Sequence, residues 1–432
     1  MEIKIIGGGI AGVEAAYQIA KRGHSVILYE MRPNVSTPAH KTGFLSELVC
    51  SNSLKSNEFT NAHGLLKEEM RRLDSIIINT AHETAIPGGK ALVVDRERFS
   101  RAITEKIKSH HLISVMREEI NDIPSGIVII ATGPLTGERL TESIKALTGH
   151  GHLFFFDAIS PIIAGDSIDF DNAFFSSRYK HDSDDYLNCP LTEEEYNIFY
   201  NALITAERVE LRPFEKTPYF EGCLPIEVMA ERGRQTLLYG PMKPVGIIDR
   251  RTGKEPFAVI QLRREDSKGN MFNMVGFQTK LTYGEQERVF KLIPALRNAR
   301  FFRYGSIHRN TYINSPVLLN RALQLKKQED VFFAGQITGV EGYIESAAMG
   351  LLAGISSLCY KKGIEFFAPP PETCIGALLH YITTEKKDFQ PMNINFGILL
   401  GYNKRDKNRV IDNALLCITK WIHAINRQLD QA

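Results

Sequence analysis

At 432 residues the chain exceeds what one simple core needs and suits two or three domains. Its 43% hydrophobic and 24% charged residues exclude a disordered or fibrous chain, and a net charge of +2 means that any nucleic-acid contact must come from local patches. No apolar run reaches the ~18 to 20 residues that span a bilayer, and the first apolar stretch is too short and too broken by glycine for a signal peptide, so a cytoplasmic protein without a membrane contact is expected.

The chain begins with a β-branched strand, Glu2 to Ile6, that runs straight into Gly7, Gly8, Gly9, Ile10, Ala11 and Gly12. Val13 to Arg22 has helical composition, and Ser25 to Tyr29 is a second strand that ends at Glu30, 18 residues past Gly12. Strand, G-x-G-x-x-G turn, helix, strand and acid fall in the order of a dinucleotide-binding βαβ unit. Gly7 allows the tight turn, Gly9 lets the backbone approach a pyrophosphate, and Gly12 lets helix and strand pack closely. The helix N-terminus offers unpaired N–H groups to the phosphates, and Glu30 can accept from a ribose hydroxyl.

Pro33 to Glu58 reads as a long polar loop carrying Cys50 between small polar neighbours, and long loops in compact domains tend to be functional. A helix over Gly64 to Leu73 capped by Asn61, a strand at Ala91 to Val94 and a helix from Asp95 to Lys108 follow. Ile127 to Ile130 is a buried strand closing in Ala131, Thr132, Gly133 and Pro134. From about Gly151 the texture turns to short β-like runs, aromatics and charged turns, with a helix at Thr192 to Glu207. Phe220 to Glu227 holds Cys223 beside glycine and proline, and Gly240 to Gly246 is a rigid Pro/Gly loop. Arg250, Arg251, Lys254, Arg263 and Arg264 form a cluster that reads either as a solvated face or as a phosphate-binding patch. Val331 to Ala334 is again a strand, entering Gly335, Gln336 and the turn up to Tyr343, before a helix at Ile344 to Leu358 rich in small residues. Ala368 to Pro371 marks a linker, and a basic helical region lies around Lys404 to Arg409.

The expected organisation is an α/β dinucleotide domain made from residues 1–150 and 330–432, with a second, α+β domain inserted at 151–329. The six cysteines, at positions 50, 189, 223, 359, 374 and 417, lack C-x-x-C or zinc spacing, so reduced thiols and no metal site are expected. Cys50 and Cys223 sit on loops of different domains and could meet across a cleft.

The runs GGGIAGVEAA, YEMRP, TPAH, VCSNSL, GLLKEEMRRL, ATGPLT, DAISPI, GCLPIEVMAERG, TLLYGPMKPVG, GFQTKLTYGEQ, HRNTY, GQITGVEGYIESAAMGLLAG and PMNINFG carry a resemblance over essentially the whole length. The chain resembles the TrmFO family of folate- and FAD-dependent tRNA (uracil-5-)-methyltransferases, relatives of the GidA flavoproteins. That resemblance implies an FAD-binding Rossmann-like domain of the glutathione-reductase type. It also implies methylation at C5 of the T-loop uridine in the T-arm of tRNA, with no obligatory protein partner. The carbon comes from 5,10-methylenetetrahydrofolate, passes through the reduced flavin, and NAD(P)H restores the flavin. Carried over from the family, Cys223 is the candidate nucleophile at uracil C6 and Cys50 the acid/base partner, with the reverse assignment open. His308 and Tyr343 are candidates for stacking on a pterin, and Thr132, Gly133, Gly335 and Gln336 for the flavin. Three other readings compete: the same chemistry on large-subunit ribosomal RNA, a flavin oxidoreductase without RNA, and a GidA-like wobble-uridine enzyme, whose family is longer.

Overall fold

The computed structural model describes residues 2–37, 39–149, 151, 153–179, 183–209, 224–249 and 251–431. Cys223 and Arg250 lie outside the described residues. The first strand, β1 (Ile3–Ile6), sits near the middle of a six-stranded sheet. The order is Gln324–Leu325, Gln328–Phe333, Ile127–Ile130, β1, then β2 (Val26–Tyr29) and Ile113–Met116. All neighbours pair in parallel except the Gln324–Leu325 edge. A parallel sheet covered on both faces needs continuous apolar strands, and Ile127–Ile130 is buried at all four positions. Chain order reverses at β1, so a crevice opens at the carboxyl ends of β1 and its neighbours, where ligands of such sheets bind.

Helix α1 (Ile10–Ala20) starts three residues earlier than its composition suggested, which puts Gly12 inside the first turn. A Cβ on Gly12 would lie 1.9 Å from the Gly7 carbonyl oxygen, so close packing of helix on strand depends on its absence. The small residues of the long helix Tyr343–Lys362 serve the same end. Cβ atoms at Gly350 and Gly354 would fall 2.2 Å from the Ala11 carbonyl and 2.8 Å from that of Ala15, so the two helices touch backbone to backbone.

Several local signals read from the sequence hold with shifted ends. Asn61 caps Ala62–Arg72 by accepting from the His63 N–H, Asp95 caps Arg96–Ser109, and Thr192 with Glu195 closes a capping box on Glu193–Ile204. The loop expected over Pro33 to Glu58 is interrupted by a strand, Ser53–Ser56, which pairs with Ala91–Val94. Helices Ile76–Glu83 and Glu138–Thr148 were not foreseen. The basic tail opens a 25-residue helix, Lys407–Gln431, whose stripe Ile411, Ala414, Ile418, Trp421, Ile425 and Leu429 joins the core of the first sheet.

A second six-stranded sheet is antiparallel throughout, in the order Phe174–Ser176, Tyr186–Leu191, Ala258–Arg264, Met271–Met274, Ile162–Ala164 and Phe301–Arg303. It has its own core, with Tyr196, Phe199, Phe272, Phe277 and Phe290 buried together. A two-stranded ribbon, Leu153–Ile159 against Ser306–Tyr312, carries the chain out to this sheet and back. No helix among the described residues is long and apolar enough to cross a membrane.

Candidate functional site

The crevice at the end of β1 is lined by Gly7, Gly8, Gly9, Ile10, Ala11, Glu30, Thr132, Gly133, Gly335, Gln336 and Tyr343, among others, around a cavity of about 160 Å³. Its glycines divide the labour by geometry. Gly7 takes φ +107°, and a Cβ there would strike the Ala131 carbonyl at 2.6 Å. Gly9 has an ordinary extended backbone, and a Cβ on it would meet nothing within 4 Å. The space in front of Gly9 is therefore the open floor of the crevice. Helix α1 begins there with no side chain capping its first turn, so its free N–H groups face the crevice. A strained turn, an open backbone floor and an uncapped helix N-terminus fit the pyrophosphate of a flavin dinucleotide.

Glu30 stands at the end of β2 and is 5% exposed. Its Oε2 accepts from the Gly8 N–H at 3.1 Å and from Arg32 Nη2 at 2.9 Å, and its Oε1 accepts from Arg32 N and Nε, both at 2.9 Å. Burial alone would raise this carboxyl, but the hydrogen bonds and charge of Arg32 outweigh it and hold the group below its usual value. An ionised acceptor at the ribose position is what a dinucleotide needs. Arg32, fully buried and also bonded to Glu47 at 3.1 Å, fixes it there.

A second cavity of about 520 Å³ adjoins the first, and Val49, Pro134, Leu135, Gln336 and Tyr343 line both. Cys50 lies in its wall with Asp157, Arg263, Asn273, His308, Asn310, Glu341 and Glu345. The Tyr343 hydroxyl accepts from the Cys50 N–H at 2.9 Å and lies 3.0 Å from Cys50 Sγ. Burial, then the nearby Asp157 charge, pushes the Cys50 thiol up; burial, then the Cys50 sulfur, pushes the Tyr343 phenol well above its ordinary range. Both groups therefore rest protonated at neutral pH. His308, hydrogen-bonded through Nε2 to Ser306 Oγ at 2.9 Å, is lowered by burial and then by Arg303, so the ring is a neutral, flat surface on the cavity wall. Burial, with Asp157 next, drives Glu341 well above the carboxylate range, and burial also raises Glu345.

The structure thus brings Gly7, Gly8, Gly9, Ile10, Ala11, Glu30, Thr132, Gly133, Gly335, Gln336 and Tyr343 together on one crevice, and Cys50 and His308 on the adjoining cavity. Gly12 is held back from the crevice, against Gly7. Cys223 is outside the described residues.

The positive cluster near position 250 needs correction. Arg263 is 6% exposed and points inward, donating to Asn52 Oδ1 at 3.0 Å and Ser51 Oγ at 2.8 Å. Arg251 is paired with Asp249, and Arg264 with Asp184 over the Phe175 ring. Arg251, Arg263 and Arg264 thus turn to three different sets of partners and do not form one patch. Reading by motif also missed Asp157, Asn273 and Glu345, each supplied by a different segment; Asp157 and Glu345 lie in the runs DAISPI and GYIESAAMG, which marked the places without marking the acids.

Comparison with known proteins accords with this geometry. Residues 2–365 match the family model described as glucose inhibited division protein A. The Methylenetetrahydrofolate--tRNA-(uracil-5-)-methyltransferase TrmFO of Syntrophus aciditrophicus is 56% identical over 427 residues, covering 97% of both chains. The enzyme of the same name from Enterococcus faecalis is 58% identical over 94% of both, and that from Aquifex aeolicus 55% identical over 98% of this chain and 97% of its own. Among solved structures, Aquifex aeolicus GidA superposes with a TM-score of 0.72 at 18% identity, covering 98% of this chain and 76% of the other, which establishes a shared fold.

Proposed function

Because the chain belongs to the glucose inhibited division protein A family and, within it, to the TrmFO methyltransferases, we propose that its target is the T-loop uridine in the T-arm of tRNA, with NAD(P)H as reductant, in the cytoplasm. The reaction class follows from the family: folate-dependent methylation of uracil C5 in tRNA, with 5,10-methylenetetrahydrofolate as donor and FAD as cofactor. One observation supports the assignment of the sites. Gln336 and Tyr343 line both the glycine-floored crevice and the cavity that holds Cys50, so a ligand in one abuts a ligand in the other.

Bound FAD supplies the redox chemistry that carries and reduces the one-carbon unit. The chain supplies binding, orientation and proton handling. Gly7, Gly8 and Gly9 with the α1 N-terminus seat the pyrophosphate, Glu30 accepts from the ribose, and Thr132, Gly133 and Gly335 complete the walls. His308 and Tyr343 offer flat faces to the pterin. Uracil C5 is a weak nucleophile until a thiolate adds at C6, and Cys223 is the residue assigned to that addition. Cys50, kept protonated by burial and tied to Tyr343, is no standing nucleophile, and in the acid/base role it takes the C5 proton only after passing its own on. The flavin part is assigned to residues 1–150 and 330–432 and the RNA-facing part to 151–329; two separate cores accord with two parts, but Tyr312 to Leu325 pack in the first core, so the second boundary falls nearer Tyr312 than residue 330.

The deciding experiment supplies purified protein with methylenetetrahydrofolate and NAD(P)H, and offers it tRNA transcript, tRNA with the T-loop uridine changed to cytidine, and large-subunit ribosomal RNA. Methylation of the first alone is expected. Modified ribosomal RNA with untouched tRNA would overturn the target.

A further inference from the structure

Three guanidinium groups converge on the segment that carries Cys50. Arg96 donates to the Leu48 carbonyl, Arg303 Nη1 to the Val49 carbonyl at 2.7 Å, and Arg263 to Ser51 and Asn52. The carboxylate that joins this group is Glu265, 1% exposed and bound to Arg96 Nε at 2.7 Å. Burial lowers Arg303 to about 10, with Arg96 adding to the shift. Among the described residues, three guanidinium groups and Glu265, with Asp157 farther along the cavity wall, leave a buried excess of positive charge, which is costly unless something negative is there to meet it at some stage.

Arg263 shows where that charge is directed. It lies opposite Asn273 in the antiparallel register of Ala258–Arg264 with Met271–Met274, so both side chains rise from the same face of the sheet. Both line the Cys50 cavity, Arg263 at 6% exposure and Asn273 at 4%. Asn52 and Ser51 occupy Arg263 Nε and one hydrogen of Nη2, which fixes the guanidinium and leaves Nη1 uncommitted among the described residues. The Asn273 amide nitrogen has no hydrogen-bond partner among the described residues, although such buried groups are nearly always satisfied. A donor held in place by two hydrogen bonds and an unpartnered buried amide beside it on a cavity wall, backed by excess positive charge, are the construction of an oxyanion site. The other charged or titratable groups facing this cavity are Cys50, Lys55, His63, Asp157, His308, Glu341, Tyr343 and Glu345.

We propose that Arg263 and Asn273 bind O4 of the target uracil and stabilise the enolate formed there during methylation. The proposal rests on the uracil-5 methyltransferase reading above. When a cysteine thiolate bonds to C6, the C5–C6 π pair moves between C5 and C4, and the C4–O4 π pair moves onto O4. The negative charge passes from sulfur to O4 with no proton gained or lost. C5 then bonds to the one-carbon unit as the C=N π pair of its iminium moves onto the carrier nitrogen; the C5 proton leaves to a base and the carrier amine is expelled, a hydride drawn from NAD(P)H reduces the resulting methylene to methyl, and elimination from C6 returns the electron pair to sulfur. The charge at O4 exists only during this passage, so donors aimed there act on the rate more than on substrate affinity.

The test uses the flavin-loaded enzyme with tRNA carrying tritium at uracil C5. Asn273→Leu keeps the size of the side chain and removes no hydrogen bond made within the described residues. Its kcat and its tritium release should both fall by about 10²-fold, the usual effect of losing one oxyanion donor, with flavin content and KM for methylenetetrahydrofolate unchanged. Arg263→Lys should retain more activity than Arg263→Gln. Wild-type kcat in Asn273→Leu would overturn the proposal, as would a defect confined to KM for the folate, which would make the pair a folate contact. If the wild-type enzyme run in parallel does not methylate tRNA, the underlying reading fails instead.

Discussion

Gly9 and Gly12 stand three positions apart in one turn, yet the structure predicts opposite consequences for replacing them. Gly9 has φ −74° and ψ −173°, a conformation open to any residue, and no atom within 4 Å of where its Cβ would be. In the flavin-free protein Gly9→Val should shift stability by no more than about 0.5 kcal/mol. Its side chain would fill the floor on which the pyrophosphate rests. Loss of two backbone N–H bonds to a charged phosphate, at about 1.5–3 kcal/mol each, predicts flavin binding weaker by about 10²- to 10⁴-fold. Gly12→Ala presents the reverse case, because its Cβ would sit 1.9 Å from the Gly7 carbonyl oxygen and backbone must move to admit it. Overpacking of about 1–3 kcal/mol outweighs the roughly 0.5–1 kcal/mol that alanine gains over glycine in a helix. The flavin-free Tm should therefore fall for Gly12→Ala and hold for Gly9→Val. Flavin content measured by absorbance, and Tm measured after stripping the flavin, separate the two effects. A Gly9→Val protein that purifies yellow with full flavin would refute the phosphate-floor assignment, and an unchanged flavin-free Tm in Gly12→Ala would refute the packing account.

Cys223→Ala should abolish methylation and any covalent adduct with tRNA while flavin content stays normal; ordinary turnover would remove Cys223 from the nucleophile role. Tyr343→Phe deletes the partner of the Cys50 N–H and Sγ, and an orphaned buried N–H costs about 1–3 kcal/mol, which a denaturant titration should register. Burial, then Lys55 and Lys67, holds His63 down to about 3, below its usual 6.5. The folded state thus binds fewer protons than the unfolded chain between those values, so stability drops as pH falls through that window. His63→Gln should flatten this acid branch in unfolding curves taken from pH 7 to 4, and an unaltered slope would assign the loss to other groups.

The cofactor crevice was readable because its parts are local: one strand, one turn, one helix and one acid within 30 residues of the start, each with its own chemical signature. The Cys50 cavity was not, since its wall gathers residues from Ala39 to Asn393 and polar residues in strands carry no mark of which face they take. Arg263 and Arg264 show the difficulty. Adjacent in sequence, they read as one basic cluster, but a strand sends neighbours to opposite faces. Arg263 therefore enters the cavity and Arg264 turns outward to Asp184 and Phe175. The helix Glu138–Thr148 escaped notice for a related reason, as only Leu140, Ile144 and Thr148 are buried and its periodicity is correspondingly thin.

The two-stranded ribbon has an architectural consequence. Leu153 lies opposite Tyr312 and Ile159 opposite Ser306, so the chain leaves the flavin fold and returns to it at adjoining points. To that fold the whole antiparallel sheet is a single loop whose mouth is already stitched shut. Loop-closure cost rises only logarithmically, by about 0.6 kcal/mol for each doubling of length, and here the stitched ends bear it regardless of what hangs beyond them. The far parts of the appended sheet are thus free to lengthen or shorten over evolutionary time while the nucleotide cradle stays as it is, whereas Arg263, Glu265 and Arg303, which bond back to Ser51, Asn52, Arg96 and Val49, hold its near face in place.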